Sequence, residues 1–172
     1  LPFAQLGPFT ENRKAMMITD DGGVLVNTPV SNFKNNTMGV KTIIDVDESG
    51  GAKVKADYTL YGDDRDELLM RYHDLNDDEK RKFFISNLQW KQPGAFEITN
   101  SKDKANPYLV SAKLDYEKIY SFNAGNKFFF ETRLYPIFDE EIVDQDKRQR
   151  DYYFTNPYQV MDTTVYKFPV GF

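Results

Sequence analysis

Between Lys53 and Leu60 the chain alternates strictly, with Val54, Ala56, Tyr58 and Leu60 interleaved with Lys53, Lys55, Asp57 and Thr59. A period of two puts successive side chains on opposite faces of an extended strand, so one face meets a core and the other meets water. A helix would mix the two sets around its circumference. The preceding arm, residues 38–46, reaches this strand across Asp47-Glu48-Ser49-Gly50-Gly51, turn-forming residues of the kind a tight β connection requires. The two arms read as a long hairpin.

A shorter hairpin comes first. Ala15-Met16-Met17-Ile18 and Val24-Leu25-Val26 flank Asp20-Asp21-Gly22-Gly23, which tolerates the positive φ angles of hairpin turns. After Gly62 the pattern changes. Acidic residues from Asp63 to Glu67 lead into Leu68, Leu69 and Tyr72, which suits the positive end of a short helix. A second helix is predicted from Asn76, where Glu79 three residues on completes a capping box. Phe83, Phe84, Ile85 and Leu88 form its apolar face, with Lys80, Arg81 and Lys82 opposite. Strands return at residues 96–99, 108–122, 127–135 and 158–168. In 108–122 Val110, Ala112, Leu114 and Tyr116 share a face, whereas residues 159–168 alternate less cleanly and suit a sheet edge.

The expected fold is therefore mainly β, of the α+β class: antiparallel, sandwich-like sheets with a two-helix insertion around residues 63–89. Residues 1–12, marked by Pro and Gly, read as a linker arm, and residues 13–172 as one β-rich domain, expected to be cut short at its C-terminal side. At 172 residues such a domain buries about 70% of its unfolded surface, so neither disulfides nor metals are needed to hold it.

The chemistry open to this chain is narrow. It has no cysteine and one histidine, His73, which removes Cys-His catalysis and most zinc sites. A formal net charge of -5 argues against nucleic acid, whose binding relies on Lys and Arg. No apolar run approaches the length of about 20 residues that a spanning helix needs. Asp45-Val46-Asp47-Glu48-Ser49-Gly50 imitates the start of a calcium loop, but its twelfth position is Ala56 instead of a bidentate Glu, and the flanks are strands. The hairpin reading takes precedence, and neither metal nor cofactor is expected.

The acidic group at Asp63-Asp64-Asp66-Glu67 is explained by its helix start, and Asp139-Glu140-Glu141 reads as a solvated loop. Lys147-Arg148-Gln149-Arg150 is offset by Asp144, Asp146 and Asp151, and His73, without a second His or a Cys, reads as a capping or surface residue. The excess that remains is aromatic: 14 Phe, 11 Tyr and one Trp, with runs at Phe128-Phe129-Phe130 and Tyr152-Tyr153-Phe154. Buried, these are good strand residues; exposed, they would stack on sugar rings or anchor a partner. Trp90, on the connection after the second helix, is the candidate ligand-binding residue because that connection is where exposure is expected.

The opening from Leu1 to Phe9, the run Arg13-Lys14-Ala15-Met16-Met17-Ile18, and Gly23-Val24-Leu25-Val26-Asn27-Thr28-Pro29 resemble the segment that follows the catalytic core of exported transglutaminase-like proteins of Bacteroidota. So do the turn from Asp45 to Ala52, the exit Tyr61-Gly62-Asp63-Asp64-Arg65 and the stretch from Arg150 to Phe172. These are turn-and-strand patterns spread over most of the chain, and none is a catalytic signature. The resemblance implies an exported parent, periplasmic or at the cell surface, that continues past Phe172. The family's Cys-His-Asp residues have no counterpart, so no active-site residue is implied.

The leading expectation is a non-catalytic accessory domain whose partners are neighbouring domains of its parent. A free-standing glycan- or peptide-binding module with an aromatic platform is the second, favoured if a contiguous aromatic patch is exposed. A carboxylate hydrolase is the third, favoured if a pocket holds two perturbed carboxylates.

Overall fold

The computed structural model describes residues 9–72, 74–87, 90–91, 93–101, 106–134, 149–151 and 157–172. Among the described residues the chain is mainly β with two α-helices: β1 (Lys14–Thr19), β2 (Gly22–Asn27), β3 (Thr37–Val46), β4 (Ala52–Leu60), α1 (Asp63–Tyr72), α2 (Asp77–Asn87), β5 (Ala95–Asn100), β6 (Tyr108–Tyr116), β7 (Phe122–Ala124), β8 (Lys127–Phe129) and β9 (Gln159–Lys167). Among the described residues these strands form a five-stranded sheet of order β5-β6-β4-β3-β9 and two hairpins, β1-β2 and β7-β8.

The alternation in β4 does what the sequence predicts. Val54, Ala56 and Tyr58 are buried and Lys53 and Lys55 are exposed, and β6 repeats the pattern beside it. Register fixes the match: Val54 stands opposite Leu114 and Ala56 opposite Ala112, so one face of the sheet is continuously apolar. The other face carries Lys55 paired with Asp57 and Lys113 paired with Glu97, which keeps it solvated.

The apolar face is covered by the helices and by irregular chain, which gives the β-rich fold its sandwich-like layering. Leu68 and Tyr72 of α1, Phe84 of α2 and Trp90 join the core cluster of the sheet. Helix starts obey the predicted capping. Asn76 Oδ1 accepts from the Glu79 amide at 3.0 Å while Glu79 Oε2 accepts from the Asn76 amide at 2.9 Å. Leu88, predicted on the same apolar face, lies outside the described residues.

Two expectations change. The antiparallel expectation holds for every pair of the large sheet except one, because β9 lies parallel to β3, from Thr37 opposite Gln159 to Asp45 opposite Lys167. The direction follows from the route of the chain: Asn36 and Pro157 meet at the same end of the sheet, where Asn36 Nδ2 donates to the Pro157 carbonyl at 3.2 Å and the Gln159 amide donates to the Asn36 carbonyl at 2.9 Å. The strands predicted over 108–122 and 127–135 are shorter than expected, since β6 ends at Tyr116 and β8 at Phe129.

Asn36 is the joint of this architecture. Buried at the head of β3, it also accepts from the Asp63 amide at 3.0 Å and donates to Asp63 Oδ2 at 3.1 Å, which ties α1 to the β3/β9 corner. Gly62 makes the approach possible. Its φ is +66°, and a Cβ there would stand 2.5 Å from the Asn35 carbonyl oxygen.

Candidate functional site: an aromatic surface beside β9

Trp90 does not occupy the exposed position expected of it. It is 4% exposed, and its amide donates to the Ile85 carbonyl of α2 at 3.1 Å. Its indole Nε1–H donates to the Tyr58 hydroxyl at 3.1 Å, and its ring lies 6.0 Å from Tyr58, 6.4 Å from Phe84 and 5.7 Å from Phe96. Those contacts use both the ring and its polar handle in packing. Trp90 is therefore corrected from a candidate ligand-binding residue to a core residue.

The exposed rings lie elsewhere. Tyr166 sits near the end of β9 and faces the same side as the core, stacked at 5.8 Å on Phe168. Phe168 meets Phe172 at 5.2 Å and Phe130 at 5.3 Å, and Phe128 stacks on Phe172 at 5.4 Å and meets Tyr120 at a tilt, 4.9 Å away. The result is one contiguous group of rings from Tyr120 to Phe172. Phe168 and Phe172 are 47% and 46% exposed. Cross-strand pairing puts Phe122 opposite Phe129 on the other face of the β7-β8 hairpin, stacked at 4.2 Å and also exposed.

The setting of these rings is weakly polar. The Tyr166 hydroxyl is already used, donating to the Glu131 carbonyl at 2.7 Å, and burial, with the Glu131 charge, raises its pKa above the ordinary tyrosine value. Arg133 pairs with Asp162 at 3.4 Å. The Phe rings bring area and shape but no hydrogen-bonding group, so the surface suits an apolar partner better than a sugar, whose hydroxyls need polar neighbours.

Asp45, Asp47 and Asp63, singled out in the sequence, make contacts within the scaffold. Asp47 Oδ1 accepts from the Ser49 hydroxyl and from the Ser49 and Gly51 amides, at 2.6, 2.8 and 3.0 Å. The Ser49 hydroxyl bond foremost, with the turn amides, holds the Asp47 carboxyl below its usual pKa. That is a hairpin turn stabilised from within, and Asp45 is paired with Lys167 at 3.1 Å instead of turning toward an ion. Desolvation works against Asp57, but the Ser111 hydroxyl and Lys55 outweigh it and lower its pKa. Asp64, solvent-exposed as a residue, has its carboxyl raised by local desolvation first and then by the charges of Glu67 and Asp63. Asp63 itself is bound to Asn36.

Among the described residues no group of three His, Cys, Asp or Glu side chains converges as metal ligands, and no helix is long and apolar enough to cross a membrane. His73, Asp139-Glu140-Glu141, Lys147-Arg148, Tyr152-Tyr153-Phe154 and the first eight residues of the linker arm lie outside the described residues. No protein-family model, curated protein or solved structure matches the chain.

What sequence reasoning missed is the location of the aromatic surface. The Phe128-Phe129-Phe130 run signalled it. Its second half, Tyr166, Phe168 and Phe172, is brought alongside only by the parallel pairing of β9, which the sequence does not announce.

Proposed function

We propose that this chain is a non-catalytic accessory domain that docks on an apolar surface of a neighbouring protein domain. The observation that carries the reading is the contiguous cluster of Phe128, Phe130, Tyr166, Phe168 and Phe172, in which Phe168 and Phe172 are about half exposed and lie on half-buried Phe128, Phe130 and Tyr166. Clustered aromatic side chains supply most of the binding energy in protein interfaces, and phenyl rings desolvate at little cost. The resemblance of the opening and closing segments to exported transglutaminase-like proteins of Bacteroidota supports a parent of that kind, exported to the periplasm or cell surface, with its catalytic core as the neighbour. The inventory of one histidine and no cysteine supports a partner role over catalysis.

The glycan-binding alternative draws on the same exposed rings, but Phe without free hydroxyl or amide groups weighs against it. One experiment separates the two. A photo-crosslinking phenylalanine analogue at Phe168 in the full-length gene product is expected to capture a segment of the same polypeptide outside this domain. Failure to crosslink, together with binding on a glycan array that Phe168→Ala abolishes, would replace the proposal with a carbohydrate module.

A further inference from the structure

The β1-β2 hairpin is apolar on both faces, and the core takes in neither. Met16, Ile18 and Leu25 share one side and Ala15, Met17, Val24 and Val26 the other, as the register from Lys14 opposite Asn27 to Thr19 opposite Gly22 dictates. Met16 is 69% exposed and Ile18 79%, and no hairpin side chain belongs to the core cluster. A two-stranded ribbon is marginal in water, and a third or fourth strand is what makes such a sheet persist. Among the described residues no third strand joins it.

Its charges say which strand fits. Arg13 and Lys14 stand at the root and Asp20 and Asp21 at the tip, and none of the four forms an ion pair among the described residues. An element with bases at one end and acids at the other is complementary to an antiparallel copy of itself. Because the Thr28 amide donates to the Arg13 carbonyl across the hairpin, alternation turns the backbone groups of odd-numbered β1 residues toward β2. Those of Lys14, Met16 and Ile18 are left on the open edge.

We propose that the chain pairs with a second copy of itself through this edge, β1 against β1 antiparallel, with Met17 on the two-fold axis. A two-fold axis normal to the sheet keeps the faces matched only in registers that pair residues of the same parity. With Met16 on the axis, Lys14 would face Ile18 and Arg13 would face Thr19. With Met17 on the axis, the basic root of β1 at Arg13 and Lys14 reaches the acidic Asp20-Asp21 turn of the other copy, Met16 faces Ile18, and the outward backbone groups of Met16 and Ile18 bond each other. Charge selects the second register. The product is a four-stranded sheet of order β2-β1-β1-β2 with the basic root of each copy set against the acidic turn of the other at its two ends. This association is separate from the ring surface beside β9, and either can fail without the other.

The absence of cysteine makes the test clean. Met17→Cys places two thiols at a non-hydrogen-bonded antiparallel pair, about 4.5 Å apart at Cα, within disulfide range. Mild oxidation is expected to convert the Met17→Cys chain to a covalent dimer, while Val24→Cys, on the same face but off the axis, stays monomeric. Sedimentation should show a dimer weakened about tenfold or more in either the Arg13→Asp/Lys14→Asp or the Asp20→Lys/Asp21→Lys variant. A mixture of the two variants should restore it, since each supplies what the other lacks. All four positions are exposed, and unchanged circular dichroism would establish that both variants fold. A wild-type chain that stays monomeric to its solubility limit, or a dimer indifferent to both variants, would overturn the proposal.

Discussion

Replacing Tyr58 by Phe removes a single oxygen from the core and tests the burial of Trp90 directly. The ring of Tyr58 stays in place against the indole, 6.0 Å away and tilted by 39°, so packing is conserved. What is lost is the acceptor for the Trp90 Nε1–H, now 3.1 Å from the hydroxyl, in a pocket where Trp90 is 4% exposed and Tyr58 3%. A buried donor left without a partner costs about 1–3 kcal/mol, more than the net worth of the bond itself, since water cannot reach it. For a chain of this length that corresponds to a fall of about 2–12 °C in the melting midpoint. Trp90 is the sole tryptophan, so its fluorescence follows urea denaturation without ambiguity. The native protein should emit in the blue range of a buried indole and resist iodide quenching, and the Tyr58→Phe midpoint should shift without a change in slope. Combining Tyr58→Phe with Trp90→Phe should cost less than the two single changes added together, because the stranded donor goes with the indole. A native spectrum already like that of free tryptophan, or a Tyr58→Phe midpoint equal to wild type, would refute the reasoning.

Tyr116 gives the opposite case: its hydroxyl is buried without a hydrogen-bond partner among the described residues, and burial raises its pKa, so Tyr116→Phe should leave stability unchanged or raise it by about 1 kcal/mol in the same denaturation assay. Burial also pushes Tyr72 up to about 12; between pH 10 and 12 the unfolded chain has lost a proton that the native state keeps, so stability should fall across that window, and less steeply in Tyr72→Phe. Asp47 has the reverse sign: its lowered pKa contributes stability above the unfolded value near 4 that is lost as pH falls through the native value, and acid titration of Asp47→Asn should lack that component. Gly50→Ala should destabilise by about 1–3 kcal/mol in thermal melts, because φ is +82° there and the added Cβ would lie 2.6 Å from the Tyr120 ring.

The parts of this fold that could be read from sequence are those decided within a few residues. The β3-β4 hairpin was legible because alternation and turn chemistry agree, and Asp47 does in space what its position in the turn suggests. The start of α2 was legible for the same reason, with Asn76 and Glu79 satisfying each other's amides. Trp90 was misread since its surroundings come from three other elements, Tyr58 on β4, Phe84 on α2 and Phe96 on β5. The pairing of β9 was not legible because a parallel partner leaves no turn signal, and its alternation runs between exposed and half-buried positions without reaching the buried ones of β4. The ring surface inherits that difficulty, half of it depending on where β9 is laid.

The order of strands in the large sheet has a consequence for how the chain acquires its shape. β3 is reached early, but its outer neighbour arrives some 120 residues later, as the separation of 121 between Asn36 and Pro157 records. Until residues 159–167 are made, the outer edge of β3 offers its backbone groups to any extended segment nearby. Closing so long a loop is only modestly dearer in free energy than closing a short one, growing as the logarithm of length, yet non-local pairing of this kind places a domain among the slower folders, at milliseconds to seconds. During synthesis at about 5–20 residues per second the nascent sheet would thus wait several seconds for its last strand. Rapid dilution of unfolded chain is expected to aggregate unless a peptide with the sequence of residues 157–172 is supplied in excess to occupy the waiting edge.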